Sequence, residues 1–134
     1  MIHEEIVTYE VAKLAKEKGF NEYEACNHIY EDDEQWHTLT TYTNAKGIDW
    51  SKDKFTVAPT QSLLQRWLRE EKGYYTWPFF NNDELKWTYV VEERRGDKWF
   101  SLIINTPNYD SYEEAMENAL KFVLEKLVII ENNS

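Results

Sequence analysis

The fold is decided by residues 87–105, which read WTYVVEERRGDKWFSLIIN. Aromatic and β-branched residues dominate 87–94 and 99–105, and this composition favours β-strands. A short turn around Gly96 separates the two segments, and a connection this short joins neighbouring strands as an antiparallel hairpin. Residues 74–80 show the same alternation. We therefore predict three consecutive strands in this part of the chain.

The clearest helix follows these strands. Ser111 and Glu114 form the S-x-x-E capping box that marks a helix N-terminus. Apolar side chains then recur every three or four positions, which predicts a helix of about four turns or more with one apolar stripe. The stripe comprises Tyr112, Ala115, Met116, Ala119, Leu120, Val123, Leu124, Leu127 and Val128. We expect this stripe to lie on the core.

Two further helices are predicted from their end signals. One begins after Thr60 as N-cap, preceded by a proline, and ends at Gly73. The other begins near Thr8 and ends just before Gly19, with lysines toward its C-terminus. The apolar residues expected on their inner faces are Leu63, Leu64, Trp67 and Leu68 in the first of these helices, and Val11, Leu14 and Ala15 in the second.

The remaining segment, residues 20–57, has weaker patterns. Residues 36–43 and 55–57 are candidate strands, and residues 44–52 read as a loop. Together the elements predict an α+β fold in which an antiparallel sheet of about three to five strands packs against about three helices. At 134 residues, a single domain spanning 1–134 is expected.

Charge narrows the classes of partner. The chain has 15 basic and 25 acidic residues, a net charge of −10. Residues 1–35 carry −7, residues 36–103 carry +1 and residues 104–134 carry −4. Such a balance repels phosphate backbones and anionic lipid at long range. We therefore expect a protein partner, with neither direct nucleic-acid contact nor membrane binding.

Cysteine content and the chain start indicate an intracellular setting. With a single cysteine, Cys26, the chain can form neither an intrachain disulfide nor a four-cysteine zinc site. No basic segment followed by an apolar one opens the sequence, and no apolar run approaches the length of a membrane span. We expect a soluble, cytoplasmic protein. Neither nucleotide-binding nor zinc-hydrolase motifs occur in the sequence, so no cofactor and no metal are predicted.

Cys26 and His28 are the candidate pair for nucleophilic chemistry. On a strand, residues two apart point to one face, so the thiol and the imidazole could pair or supply two metal ligands. The alternative is a structural cysteine that packs as a small apolar group. We favour that alternative, because the sequence places no third group to orient the histidine. No catalytic residue is therefore assigned.

Two charged clusters have a functional and a structural interpretation. Residues 31–34 form an acidic run that could hold a hard cation, but they lack the alternating ligand pattern of a calcium loop, so a solvated turn is expected. Arg66 and Arg69 lie on the helix face opposite Leu64 and Trp67, where a phosphate or carboxylate could dock. The alternative is a solubilising surface.

Aromatic residues are unusually numerous, with six tryptophans among 21 aromatic side chains. Trp67 is expected to pack inward. Trp77, Trp87 and Trp99, on neighbouring predicted strands, could instead form an exposed platform for a sugar, a base or a peptide. Packing in the core or anchoring of an interface is the competing interpretation.

Three segments resemble one known family. They read PTQSLLQRWLRE after Ala58, VAKLAKEKGF from Val11, and YDSYEEA from Tyr109. This pattern is similar to a family of short hypothetical proteins of Bacteroidetes bacteria and their prophages. The resemblance implies a bacterial or phage-derived cytoplasmic protein and transfers no activity or site residue.

The leading hypothesis for function is a non-enzymatic accessory or protein-interaction module, presenting an acidic N-terminal region and an aromatic sheet face. A second hypothesis is a nucleic-acid-related role, either as an acidic mimic of DNA or through anion contact at Arg66 and Arg69. A third is an enzyme that uses Cys26 and His28.

Overall fold

The computed structural model describes residues 4–31, 36–38, 55–102 and 107–132. Within it the chain divides into two compact units, Met1–Leu63 and Leu64–Ser134. The single domain over residues 1–134 stays a prediction.

The first helix of the first unit, α1, spans Tyr9–Glu17. Its N-cap is Thr8, whose Oγ1 accepts a hydrogen bond from the backbone N–H of Val11 at 3.3 Å. This bond satisfies one of the donors that a helix start leaves unpaired. Gly19, just past the helix, has φ of 90°, a conformation that glycine adopts without strain. The buried residues of α1 are Val11, Ala12 and Ala15, which confirms the predicted inner face except at the half-buried Leu14.

A three-stranded antiparallel sheet completes the first unit, in the order β2-β1-β3. Its strands are β1 (His28–Glu31), β2 (Trp36–Thr38) and β3 (Phe55–Val57), and a 3₁₀ turn at Tyr23–Ala25 precedes them. The predicted strand at 55–57 is confirmed. Of the predicted strand at 36–43, the first three residues form β2 and the rest lie outside the described residues, as do residues 44–52 of the predicted loop.

The second helix, α2, spans Gln61–Trp67 and continues as a π-helical turn, Leu68–Lys72. Thr60 is its N-cap as predicted, since its Oγ1 accepts a hydrogen bond from the N–H of Leu63 at 3.2 Å. Gly73 ends the helical segment with φ of 75°. The predicted inner face is confirmed at Leu64, Trp67 and Leu68, which are buried.

The sheet of the second unit has the order β4-β5-β6, with both pairings antiparallel. Its strands are β4 (Tyr74–Asn81), β5 (Lys86–Arg95) and β6 (Lys98–Ser101). Arg95 pairs with Lys98, so the predicted hairpin is confirmed with a turn of Gly96 and Asp97, while residues 103–105 of its predicted second strand lie outside the described residues. Gly96 has φ of 67°, which a two-residue hairpin turn requires.

The third helix, α3, spans Tyr112–Asn132 and packs against β4 and β5. The N–H of Glu114 donates to Oγ of Ser111 at 3.1 Å, which confirms the predicted cap. The buried side chains of the predicted stripe are Ala115, Met116, Ala119, Leu120, Val123, Leu124 and Leu127. These residues and the inner face of the sheet form the core of the second unit. Tyr112, the first residue of α3, is instead 40% exposed, so it does not belong to the core as predicted.

The α+β class, the antiparallel pairing and the helices are therefore confirmed. The described strands are divided between two sheets, a division that the sequence analysis does not anticipate. No helix in the described part of the chain combines the length and apolarity needed to cross a membrane.

Candidate functional site

The sheet of the second unit has two different faces. Side chains alternate between the faces along each strand, and residues directly opposite each other on paired strands share a face. Tyr74, Thr76, Tyr89 and Val91 are buried on the face that packs against α3. We call this face the helix face. The opposite face carries Tyr75, Trp77 and Phe79 from β4 and Trp99 from β6, and we call it the aromatic face.

Three rings on the aromatic face form a contiguous cluster, which we call the aromatic cluster. The ring centroids of Tyr75 and Trp77 lie 4.6 Å apart, and those of Tyr75 and Trp99 lie 6.3 Å apart with an interplanar angle of 66°. Tilted and edge-to-face geometries are the ones that aromatic pairs prefer. Tyr75 therefore joins side chains from the two outer strands of the sheet.

A cation adjoins the aromatic cluster. The guanidinium carbon of Arg69 lies 5.2 Å from the centroid of the Tyr75 ring, within the range of a cation–π interaction. Arg69 belongs to the π-helical turn that precedes β4, so the local helix geometry positions the charge beside the ring. A second cation, Arg94, is exposed and pairs in register with Trp99.

The aromatic face is partly open to solvent. Phe79 is 44% exposed and Trp99 is 37% exposed, while Tyr75 and Trp77 are half-buried. Large aromatic side chains at this exposure, beside arginine, have the composition of interface anchors rather than of a core.

The structure separates the three tryptophans that the sequence suggests as one platform. Trp77 pairs with Val90, whereas Trp87 pairs with Phe80, so Trp77 and Trp87 point to opposite faces. On the helix face, the Trp87 ring contacts the rings of Phe80 and Tyr112, each at 5.4 Å between centroids. The site therefore contains Trp77 and Trp99 without Trp87.

Three residues of the site were missed by the sequence analysis, namely Tyr75, Phe79 and Arg94. The alternation of aromatic residues at 75, 77 and 79 is a signal in the sequence that indicates one shared face. Arg94 carries no such signal, because its position beside Trp99 depends on the register of the hairpin.

Arg66 and Arg69 share a carboxylate. Nε of Arg66 lies 3.2 Å from Oε1 of Glu70, and a terminal guanidinium nitrogen of Arg69 lies 3.8 Å from the same oxygen. The Arg66 side chain is 67% exposed, that of Arg69 36% and that of Glu70 50%, so solvent screens these ion pairs and they contribute little to stability. The negative charge of Glu70 offsets the positive charge of Arg66 and Arg69, which an anion would require in order to bind there.

Cys26 and His28 do not form an activated pair. Cys26 is buried, precedes β1, and donates its Sγ–H to the backbone carbonyl of Glu22 at 3.4 Å. Burial, together with the Glu22 charge, raises the pKa of the Cys26 thiol to about 12. Burial lowers the pKa of His28. Both groups are therefore held neutral at physiological pH, and a neutral thiol is a poor nucleophile.

The acidic run at 31–34 lies outside the described residues from Asp32 onward. Elsewhere in the described ranges, no group of three or more His, Cys, Asp and Glu side chains is placed to hold a metal ion.

The comparisons add no relatives to this description: no family model matches the chain, and no similar curated protein or solved structure was found.

Proposed function

We propose that this protein is a non-enzymatic protein-interaction module that binds its partner through the aromatic face of the second unit. The observation that carries the proposal is the aromatic cluster of Tyr75, Trp77 and Trp99, partly exposed on the face opposite α3. Tyrosine, tryptophan and arginine are the side chains most enriched among the anchors of protein interfaces.

The charges beside the aromatic cluster indicate the chemistry of the partner. Arg69 and Arg94 flank the rings, and Glu92 is the acidic residue that β5 contributes to the same face. This arrangement fits a protein surface with an apolar centre and a carboxylate opposite Arg94, because Glu70 already offsets the charge of Arg69. A strongly acidic partner is disfavoured, because the chain as a whole carries −10.

A matched pair of substitutions tests this proposal. Phe79 and Phe80 are neighbours of the same residue type with nearly equal exposure, 44% and 42%, but they lie on opposite faces of the sheet. Immobilised full-length protein should capture a partner from the native host, and Phe79→Ser should reduce that capture by about tenfold, as expected for an interface anchor. Phe80→Ser should leave the capture unchanged.

Two results would overturn the proposal. One is equal loss of the partner with Phe79→Ser and Phe80→Ser while both variants unfold at the wild-type temperature. The other is capture no greater than that of a column without protein. A Trp99→Ser variant, which alters β6 rather than β4, should reproduce the effect of Phe79→Ser.

A further inference from the structure

The sheet of the second unit has two edge strands, β4 and β6, and the two edges differ. An edge strand directs half of its backbone N–H and C=O groups away from the sheet, where they can pair with another chain. Proteins protect such edges by keeping the edge strand short, by placing proline or charged side chains on it, or by covering it with another element.

The β4 edge is blocked. The N–H of Arg94 donates to the carbonyl of Gly73 at 2.8 Å, so in this register residues 74, 76, 78 and 80 direct their backbone groups away from β5. The outward carbonyl of Thr76 accepts a hydrogen bond from Nε2 of Gln65 at 2.7 Å. The outward position 78 is a proline, which has no N–H to donate. The π-helical turn also contacts this strand.

The β6 edge is less protected: it is four residues long and carries Lys98, but it contains no proline. The N–H of Leu102 donates to the carbonyl of Val91 at 2.9 Å, and the register then directs the backbone groups of Trp99 and Ser101 away from β5. In the described part of this sheet, no strand pairs with the outer side of β6. All four residues of β6 are exposed, including Trp99 at 37% and Phe100 at 42%.

We propose that β6 pairs antiparallel with β6 of a second copy of this chain, so that the two sheets become one continuous sheet. The outward groups belong to Trp99 and Ser101, which lie symmetrically on either side of Phe100. A two-fold axis at Phe100 therefore lets Trp99 of each copy exchange both backbone hydrogen bonds with Ser101 of the other. This is the self-complementarity that an isologous dimer requires.

The side chains of β6 suit the same register. Phe100 of one copy faces Phe100 of the other as a non-hydrogen-bonded pair, in which side chains approach closely. The large Trp99 faces the small Ser101, so the two do not compete for space. Lys98 lies opposite Leu102, which keeps the lysines of the two copies apart. The contact thus brings the exposed Phe100 side chains of the two copies together.

This proposal does not depend on the proposed function. It uses the backbone of β6, whereas the partner surface uses side chains of the aromatic face. Residues directly opposite each other on paired strands share a face of the sheet. The two aromatic clusters would therefore lie on the same side of the continuous sheet that the dimer forms.

The test is the mass of the full-length protein by light scattering and sedimentation over a wide concentration range. Wild-type protein should change from monomer to dimer as its concentration rises. Ser101→Pro removes an N–H that the register directs away from β5, so it should weaken dimer formation by about tenfold or more without unfolding the chain. Ser101→Ala keeps the N–H and should dimerise like the wild type.

A wild-type protein that stays monomeric at every concentration would overturn the proposal, as would a dimer that survives in folded Ser101→Pro. If Ser101→Pro fails to fold, Phe100→Lys provides the decisive comparison, because it places two like charges face to face at the two-fold axis. Its control is Phe80→Lys, equally exposed on β4. Dimer lost in the first and kept in the second supports the proposal; equal behaviour of the two contradicts it.

Discussion

Cys26 shows how surroundings determine the chemistry of a single residue. The side chain is 4% exposed, its thiol is hydrogen-bonded to Glu22, and its pKa is raised to about 12. Because only the thiolate attacks electrophiles, the folded protein should react with iodoacetamide at pH 8 at least about tenfold more slowly than the urea-unfolded chain. Mass spectrometry of the alkylated protein measures both rates. Equal rates would contradict the structure and restore Cys26 as a candidate nucleophile.

Leu64 and Leu120 belong to the predicted apolar stripes, and both are fully buried in the second unit. Leu64→Ala and Leu120→Ala should each lower the free energy of unfolding by about 2 to 5 kcal/mol, since each removes apolar contacts and leaves a cavity. Denaturant titration measures this loss. Leu85→Ala is the control, because Leu85 is 72% exposed and its truncation should cost less than about 0.5 kcal/mol. Losses below about 1 kcal/mol at both buried positions would show that the helix faces are misassigned.

At the scale of elements, the ends of the helices were the most predictable features. Thr8, Thr60 and Ser111 each cap a helix by accepting a hydrogen bond from the N–H three residues ahead, and Gly96 forms the turn of the hairpin. These signals are local, because each one depends on the conformational preference of a few adjacent residues. The helix ends and the hairpin turn can therefore be predicted from one sequence alone.

Strand pairing was less predictable, because it depends on residues far apart in the chain. β1 was not predicted, and its Ile29 pairs with Val57, across a segment whose pattern is weak. Trp87 was grouped with Trp77 and Trp99, although a shift of one position in register decides which face a side chain occupies. The sequence therefore indicated an aromatic site on this sheet but identified only some of its residues. Trp77 and Trp99 lie on the aromatic face, whereas Trp87 lies on the helix face.

The strand register also determines which groups belong to the β6 edge and which belong to the aromatic face. Trp99 contributes its side chain to the aromatic face and its backbone to the outer edge, and neither assignment follows from residue type. Substitutions that change only one of these two properties separate the two proposals. Compared with Ser101→Ala, which changes the same side chain on the aromatic face, Ser101→Pro alters only the edge, and Phe79→Ser alters only the face.

At the scale of the whole molecule, composition and charge exclude classes of function more firmly than they identify one. The net charge of −10 opposes long-range attraction to nucleic acid, and Glu70 offsets the arginine pair that would have provided an exception. Among the described residues, the features that we propose for recognition are in the second unit, on the face of its sheet opposite α3. We propose that the partner binds at this face.

The most direct test of that claim is hydroxyl-radical footprinting of the full-length protein, alone and with its captured partner. Oxidation read by mass spectrometry reports the solvent exposure of each aromatic ring. Binding should protect Phe79 and Trp99, on the aromatic face, and leave Phe80 and Tyr112 as reactive as in the free protein. Protection of Phe80 and Tyr112 with Phe79 and Trp99 unchanged would show that the partner binds elsewhere and would contradict the account.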